Sequence, residues 1–153
     1  KLAGTEVGVK DPTATFSACF GEPFIVLHPI KYAKMLSERI HAHSVNVWLL
    51  NTGWIGGGVG VGQRISLEYS RAIVDAIHNA SLLTANYENF DVFQFQIPTS
   101  CPNVPSEILN PMKMWKDAEK FTQERLKLAE LFKQNFVKYA DETDKNVLQA
   151  GPQ

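Results

Sequence analysis

A glycine-rich loop between two apolar segments is the part of this sequence that comes nearest to a chemical motif. Its glycines, within residues 51–63, are Gly53, Gly56, Gly57, Gly58, Gly60 and Gly62. The backbone N–H groups of such a loop, followed by a helix N-terminus, can surround an anion. The established spacings are absent, because Gln63 and Arg64 stand where a P-loop requires Lys and then Ser or Thr. The G-x-G-x-x-G fingerprint also fails at Gln63, so a flexible connection is the simpler interpretation.

Arg64 is the one cation of this loop. A guanidinium at the start of a helix can stack on a base or hold a phosphate through two parallel hydrogen bonds. A solvated arginine fits the same sequence, and without further context it is the simpler interpretation.

The histidines and cysteines indicate neither a metal site nor a nucleophilic pair. They are scattered along the chain at His28, His41, His43, His78, Cys19 and Cys101. His41 and His43 are two residues apart at a helix end, so they do not share a helix face. A Cys–His pair is formally allowed, but no local signature supports it. The residues alone therefore contain no self-sufficient catalytic group.

The elements that would position the loop are helices interspersed with strands. Apolar spacing predicts helices over 29–42, 66–80 and 115–140, the last being the longest. It predicts strands over 45–50 and 90–97, whereas 24–27 is either a short strand or a helical turn. Prolines between 98 and 113 leave room for one short helix, around 106–109. This order predicts an α/β or mixed α+β class.

The composition fits one soluble domain or part of a larger one. Of 153 residues, 44% are hydrophobic and 20% are charged, and 15 Lys and Arg balance 16 Asp and Glu. This balance argues against a nucleic-acid partner bound through net charge, and no apolar run approaches the ~18 residues that a membrane span needs. The absence of targeting signals predicts a cytoplasmic protein, and a start on Lys1 instead of Met suggests a fragment.

Several short motifs follow one another along nearly the whole chain. They are AGTE at 3–6, TFSACFG at 15–21, LHP at 27–29, NTGW at 51–54, GVGVGQRI at 58–65, RAIVDAI at 71–77, VPSEILNP at 104–111 and LFKQNF at 131–136. In this order they resemble the ATP-dependent phosphoenolpyruvate carboxykinases, and together they are far more specific than any one of them. The segment resembles the last quarter to third of that family.

The resemblance implies a two-lobed enzyme whose C-terminal lobe binds a mononucleotide. Such enzymes convert oxaloacetate and ATP to phosphoenolpyruvate, ADP and CO2 in gluconeogenesis, with a Mg2+–nucleotide and a second ion, usually Mn2+. Residues 1–153 would then form the C-terminal portion of the nucleotide-binding domain. Within it, 1–17 resembles the mobile lid, and 115–140 would be a long C-terminal helix. The resemblance allows a homo-oligomer.

Three residues match nucleotide-facing positions of the family. Arg64 and Ile65 match an Arg-Ile step that borders the adenine pocket. Ser70 stands where many members carry a threonine beside the nucleotide, and serine keeps the hydroxyl.

The family's phosphate loop, its metal-binding Lys, His and Asp, and its oxaloacetate-binding arginine all precede the matched segment. No catalytic residue and no metal ligand are therefore expected here, and we expect the isolated chain to be inactive. The alternative is a truncated, non-catalytic module that binds adenine nucleotide or a partner.

Overall fold

The structure, a computed structural model, describes residues 15–18, 21–58 and 60–153. The chain divides into two compact units, 1–49 with 135–145 and 50–134 with 146–153. The described residues form helices interspersed with two small antiparallel sheets, which confirms the mixed α/β class. Most of the lid-like segment predicted at 1–17 lies outside the described residues.

The first unit contains helix α1, Pro29–His43, which confirms the helix predicted over 29–42. Pro29 occupies the first helical turn, where its missing N–H leaves no hydrogen bond unmade. The helix ends at Ser44, whose φ of 48° is left-handed and whose N–H donates to the carbonyl of His41.

The residues before α1 contact α1 itself and a later part of the same unit. The hydroxyl of Tyr32 accepts hydrogen bonds from the backbone N–H groups of Val26 and Leu27, at 3.2 and 3.4 Å. Nδ1 of His28 lies 3.3 Å from a carboxylate oxygen of Glu142. A single 3-10 turn, Glu22–Phe24, precedes these residues, so the strand considered for 24–27 is not formed.

The strand predicted over 45–50 is wrong. These residues have no regular secondary structure, and the side chains of Val47 and Leu49 are 63% and 81% exposed. A strand buried on both faces needs a hydrogen-bonded neighbour, and the described part of the chain pairs none with this segment.

The second unit begins with a hairpin and a helix. Strands β1, Trp54–Ile55, and β2, Gln63–Arg64, are antiparallel and enclose most of the glycine-rich loop. Helix α2, Leu67–His78, follows directly and confirms the helix predicted over 66–80, with Ser66 as its N-cap.

The single strand predicted over 90–97 is two strands in the structure. Strands β3, Tyr87–Phe90, and β4, Phe95–Pro98, form an antiparallel hairpin that pairs Phe90 with Phe95. The turn between them places Val92 and Gln94 at φ of 67° and 55°, a region that a β-branched residue rarely adopts. Apolar alternation continues through the turn, which is why the pattern concealed it.

The rest of the chain is mainly helical. Helices α3, Ser106–Leu109, and α4, Pro111–Met114, replace the single short helix predicted between the prolines. Helix α5, Ala118–Phe136, is the longest, as predicted, but its continuation Val137–Glu142 is a 3-10 helix. Helix α6, Lys145–Gln149, follows. No helix among the residues described has both the length and the apolar character to cross a bilayer.

Candidate functional site

The hairpin that carries Arg64 is shaped by its glycine loop. Trp54 pairs with Arg64, and Ile55 pairs with Gln63. A Cβ atom at Gly62 would lie 2.7 Å from the carbonyl oxygen of Ile55, a distance that no side chain tolerates. Gly56 has a φ of 78°, and a Cβ there would meet the carbonyl oxygen of Met114 at 3.0 Å. Glycine therefore allows the chain to turn back tightly enough to pair Arg64 with Trp54.

Backbone hydrogen bonds fix the step from β2 into α2. The N–H of Ile65 donates to the carbonyl of Gly53 at 2.9 Å, and the N–H of Gly53 donates to Oδ1 of Asn51 at 2.9 Å. Arg64 is exposed, and within the described residues no hydrogen bond or ion pair engages its guanidinium. The main chain of Arg64 and Ile65 is thus held in place, while the guanidinium is available to a ligand.

Ser70 is positioned by the first turn of α2. The Ser66 side chain accepts a hydrogen bond from the N–H of Tyr69 at 3.2 Å and so caps the helix. Both the N–H and the Oγ–H of Ser70 donate to the carbonyl oxygen of Ser66, each at 3.1 Å. Ser70 is 8% exposed, and the hydrogen bond to Ser66 orients its hydroxyl.

A pocket of about 200 Å³ opens beside Ser70. It is lined by Leu50, Thr52, Ser70, Arg71, Val74 and Asp75. Ser70 is the buried member of this set, whereas the other five residues are exposed. We call this cavity the Ser70 pocket.

The three residues singled out in the sequence therefore lie at one strand–helix junction but not around one cavity. Ser70 lines the Ser70 pocket, and Arg64 and Ile65 do not. Thr52 lines it as well, although nothing in its residue type or spacing drew attention to it. Only the fold brings Thr52 to this pocket, because Thr52 is eighteen positions before Ser70 in the sequence.

A second, larger pocket of about 440 Å³ lies along α2. It is lined by Glu68, Arg71, Ala72, Asp75, Ala76, Asn79, Pro102 and Asn103. Arg71 and Asp75 line both cavities, so these residues separate the larger pocket from the Ser70 pocket.

The described residues do not form a metal centre or an activated thiol. Among them, no group of three or more His, Cys, Asp or Glu side chains is arranged to hold an ion. Burial raises the pKa of the Cys101 thiol, which keeps it protonated and weakens it as a nucleophile. The polar groups at the junction are the guanidinium of Arg64, which the described residues leave unengaged, and the hydroxyls of Thr52 and Ser70.

Comparison with known proteins finds one family. The family model described as "Phosphoenolpyruvate carboxykinase" matches residues 1–107. Proteins named phosphoenolpyruvate carboxykinase (ATP) match nearly the whole chain. The relative from Dictyostelium discoideum is 57% identical over 152 residues, which are 99% of this chain and 27% of the relative. The relative from Emericella nidulans is 54% identical over 99% of this chain and 26% of its own length. The bacterial relative from Fusobacterium nucleatum is 50% identical over 99% of this chain and 29% of its own length. The chain thus spans about a quarter of the length of the curated relatives it matches.

Proposed function

This chain belongs to the family of ATP-dependent phosphoenolpyruvate carboxykinases, and we propose that it supplies part of the adenine pocket of such an enzyme. The complete enzyme would convert oxaloacetate and ATP to phosphoenolpyruvate, ADP and CO2 in the cytoplasm, in gluconeogenesis. In this proposal Arg64, Ile65 and Ser70 face the nucleotide, and 1–17 belongs to the lid over the bound substrates.

The strand–helix junction is the observation that carries this proposal. The Ile65–Gly53 and Ser70–Ser66 hydrogen bonds hold the backbone on both sides of the helix start. The guanidinium of Arg64, which the described residues leave unengaged, has the planar, cationic surface that stacks on a base. A preformed main chain with an available arginine suits a nucleotide base, because little ordering is then required on binding.

The metal ions of the reaction, Mg2+ with the nucleotide and Mn2+, do not fit the described residues. Those residues contain no cluster of ligands for either ion. We propose that the ions, the phosphate loop and the catalytic groups belong to the part of the enzyme outside this segment, as the resemblance to the family implies. The isolated 153-residue chain is accordingly proposed to be inactive.

A chimera tests the proposal directly. The matching 152 residues of the Dictyostelium relative are replaced by this chain, so that the recipient supplies its own phosphate loop and metal ligands. We expect the chimera to form phosphoenolpyruvate from oxaloacetate and ATP. We expect Arg64→Ala to raise the KM for ATP about tenfold, the value of one lost cation–base contact. The KM for oxaloacetate should stay unchanged.

Arg39→Ala is the matched control, since Arg39 is an exposed arginine on α1, outside the junction. An active chimera whose KM for ATP is the same with and without the Arg64 side chain would remove Arg64 from the nucleotide site. A chimera that binds ATP without turning over would instead favour a nucleotide-binding module.

A further inference from the structure

The hydroxyl of Ser70 already donates its proton at the start of α2, so it can only accept a further hydrogen bond. Its proton is committed to the carbonyl oxygen of Ser66 at 3.1 Å, one turn back along α2. What Ser70 Oγ still offers to the Ser70 pocket is acceptor capacity alone. A ligand group that reaches this hydroxyl is stabilised if it brings an N–H. It is penalised if it brings a second acceptor, because two facing acceptors leave a buried polar group unpaired.

Thr52 supplies the complementary polar group. Its side chain lines the same pocket, and within the described residues no hydrogen bond engages its hydroxyl. A hydroxyl that is not committed can rotate, so Thr52 can donate to a ring nitrogen or accept from a ring N–H. The apolar side chains of Leu50 and Val74 line the same cavity and offer surface to a planar ring.

We propose that Thr52 and Ser70 together read the edge of the adenine ring, Ser70 accepting from the exocyclic 6-amino group and Thr52 donating to the adjacent ring nitrogen. This inference rests on the proposed function and adds to it a residue, Thr52, and a basis for base specificity. The two residues have different tasks. Ser70 discriminates between bases because its polarity is fixed, whereas Thr52 contributes affinity without discrimination because its hydroxyl turns.

Hypoxanthine is the base that exposes this difference. It carries an oxygen in place of the 6-amino group and an N–H at the adjacent ring position, so both polarities are reversed. Thr52 can rotate to accept from that N–H. Ser70 cannot rotate to donate to the oxygen without breaking its hydrogen bond to Ser66.

The test compares ATP with inosine triphosphate in the chimera defined above. We expect the unmodified chimera to prefer ATP by about tenfold or more in kcat/KM, the effect of one mismatched buried hydrogen bond. Ser70→Ala should reduce this preference to about twofold or less, mainly by raising the KM for ATP. Ser70→Thr should retain it. Thr52→Val, which keeps the side-chain shape, should raise the KM for both nucleotides by about threefold to tenfold and leave their ratio unchanged.

Thr122→Ala controls for loss of a hydroxyl within a helix. Thr122 on α5 makes the same kind of bond to the residue four positions earlier, Ala118, at 2.9 Å, and it lines neither pocket. It should change neither KM. Alanine is favourable within a helix, so Ser70→Ala is also expected to fold.

The outcomes separate this inference from the proposed function. If Arg64→Ala raises the KM for ATP but the ATP preference survives Ser70→Ala, the proposed adenine site is supported. The proposal that Ser70 discriminates between bases is then overturned. If Thr52→Val leaves both KM values unchanged, Thr52 is removed from the site. If the chimera neither binds nor uses ATP, both proposals fall together.

Discussion

The junction around α2 and the surface between the β3–β4 hairpin and α5 are built on different principles. At the junction, position is set by main-chain hydrogen bonds and by glycines, and the side chains of Arg64 and Thr52 remain exposed. At the β3–β4 surface, position is set by side chains. The ring of Phe121 contacts those of Phe90 and Trp115 with centroids 6.3 and 5.6 Å apart.

Arg125 shows the contrast with Arg64 most clearly. Its guanidinium lies 5.6 Å from the ring centroid of Phe90 and 5.5 Å from that of Phe121, and it forms an ion pair with Asp91. The guanidinium of Arg125 is thus engaged by contacts within the fold, and its side chain is only 12% exposed. Arg64 has the same chemistry, but within the described residues no aromatic ring or carboxylate engages its guanidinium, and for this reason we proposed it as a ligand contact. Residue type alone therefore does not separate an arginine that packs within the fold from one that stays available, whereas the neighbours that the fold supplies do.

The largest effect is expected from removing the central ring of the packed surface. Phe121 is 6% exposed, so Phe121→Ala leaves a cavity and should lower the free energy of unfolding by about 3–5 kcal/mol. Urea unfolding of the chain measures it. The matched control is Phe132→Ala, because Phe132 lies on the same helix but is 43% exposed and should lose much less. Equal losses at the two positions would show that this surface is not held by a packed core.

Disturbing the glycine loop should have a smaller effect on stability but a specific one on the site. Gly62→Ala places a methyl group 2.7 Å from the carbonyl oxygen of Ile55 and should destabilise the hairpin by about 1–3 kcal/mol. Because Arg64 is two residues further along, the KM for ATP of the chimera should rise as well.

Gly58→Ala is the control for the loop, since a Cβ at Gly58 meets no atom within 4 Å. If both substitutions leave the KM for ATP unchanged, the backbone geometry of the loop does not position Arg64.

The N-cap of α2 also tests whether local hydrogen bonds hold the junction, and the expected loss of stability is smaller. Ser66→Ala removes the acceptor for the Tyr69 N–H and should destabilise α2 by about 1 kcal/mol. Faster hydrogen exchange of the first α2 amides is the expected signature. Ser106→Ala serves as control, because Ser106 begins α3 without capping it. Unchanged exchange at Tyr69 after Ser66→Ala would mean that the cap does not hold this end of the helix.

The parts that the sequence predicted are those that depend on near neighbours. The helix over 66–80 was predicted because the apolar spacing that indicates it acts within one or two helical turns. The strand over 45–50 was wrong because a strand exists through its partners, and apolar residues alone do not provide one. The turn at Val92 and Gln94 lacks the Gly or Asn that normally marks positive φ, so no local signal announced it. Its conformation is held from a distance, in part by the N–H of Gln153, which donates to the carbonyl of Val92 at 2.8 Å.

The candidate site likewise contains residues that the sequence identified and one that only the fold identified. Arg64, Ile65 and Ser70 were found by resemblance, and their roles stay predictions. Thr52 required the fold, since its relation to Ser70 is a shared cavity and not a spacing. The committed proton of Ser70 is likewise invisible in the sequence, because any serine has a hydroxyl and only the helical geometry decides where its proton goes.

The smallest effect is expected at alkaline pH, and it concerns two residues of the β3–β4 region, Tyr87 and Cys101. Burial raises the pKa of Cys101 above its ordinary 9.0, and burial followed by the neighbouring Cys101 raises the pKa of Tyr87 above 10.0. The folded chain therefore holds these protons more tightly than the unfolded chain does. Their contribution to stability is complete below about pH 9 and is lost as the pH rises through the folded pKa values.

Urea unfolding at a series of pH values from about 8 to about 10.5 should show stability declining above about pH 9. Cys101→Ala should flatten the first part of this decline, and it should also lower the pKa of Tyr87 by removing the nearby thiolate. His78→Gln, on α2 and outside the packed surface, should leave the alkaline decline unchanged. If Cys101→Ala and the unmodified chain decline in parallel, Cys101 titrates as an exposed thiol does, and the packed surface does not extend to the turn that carries it.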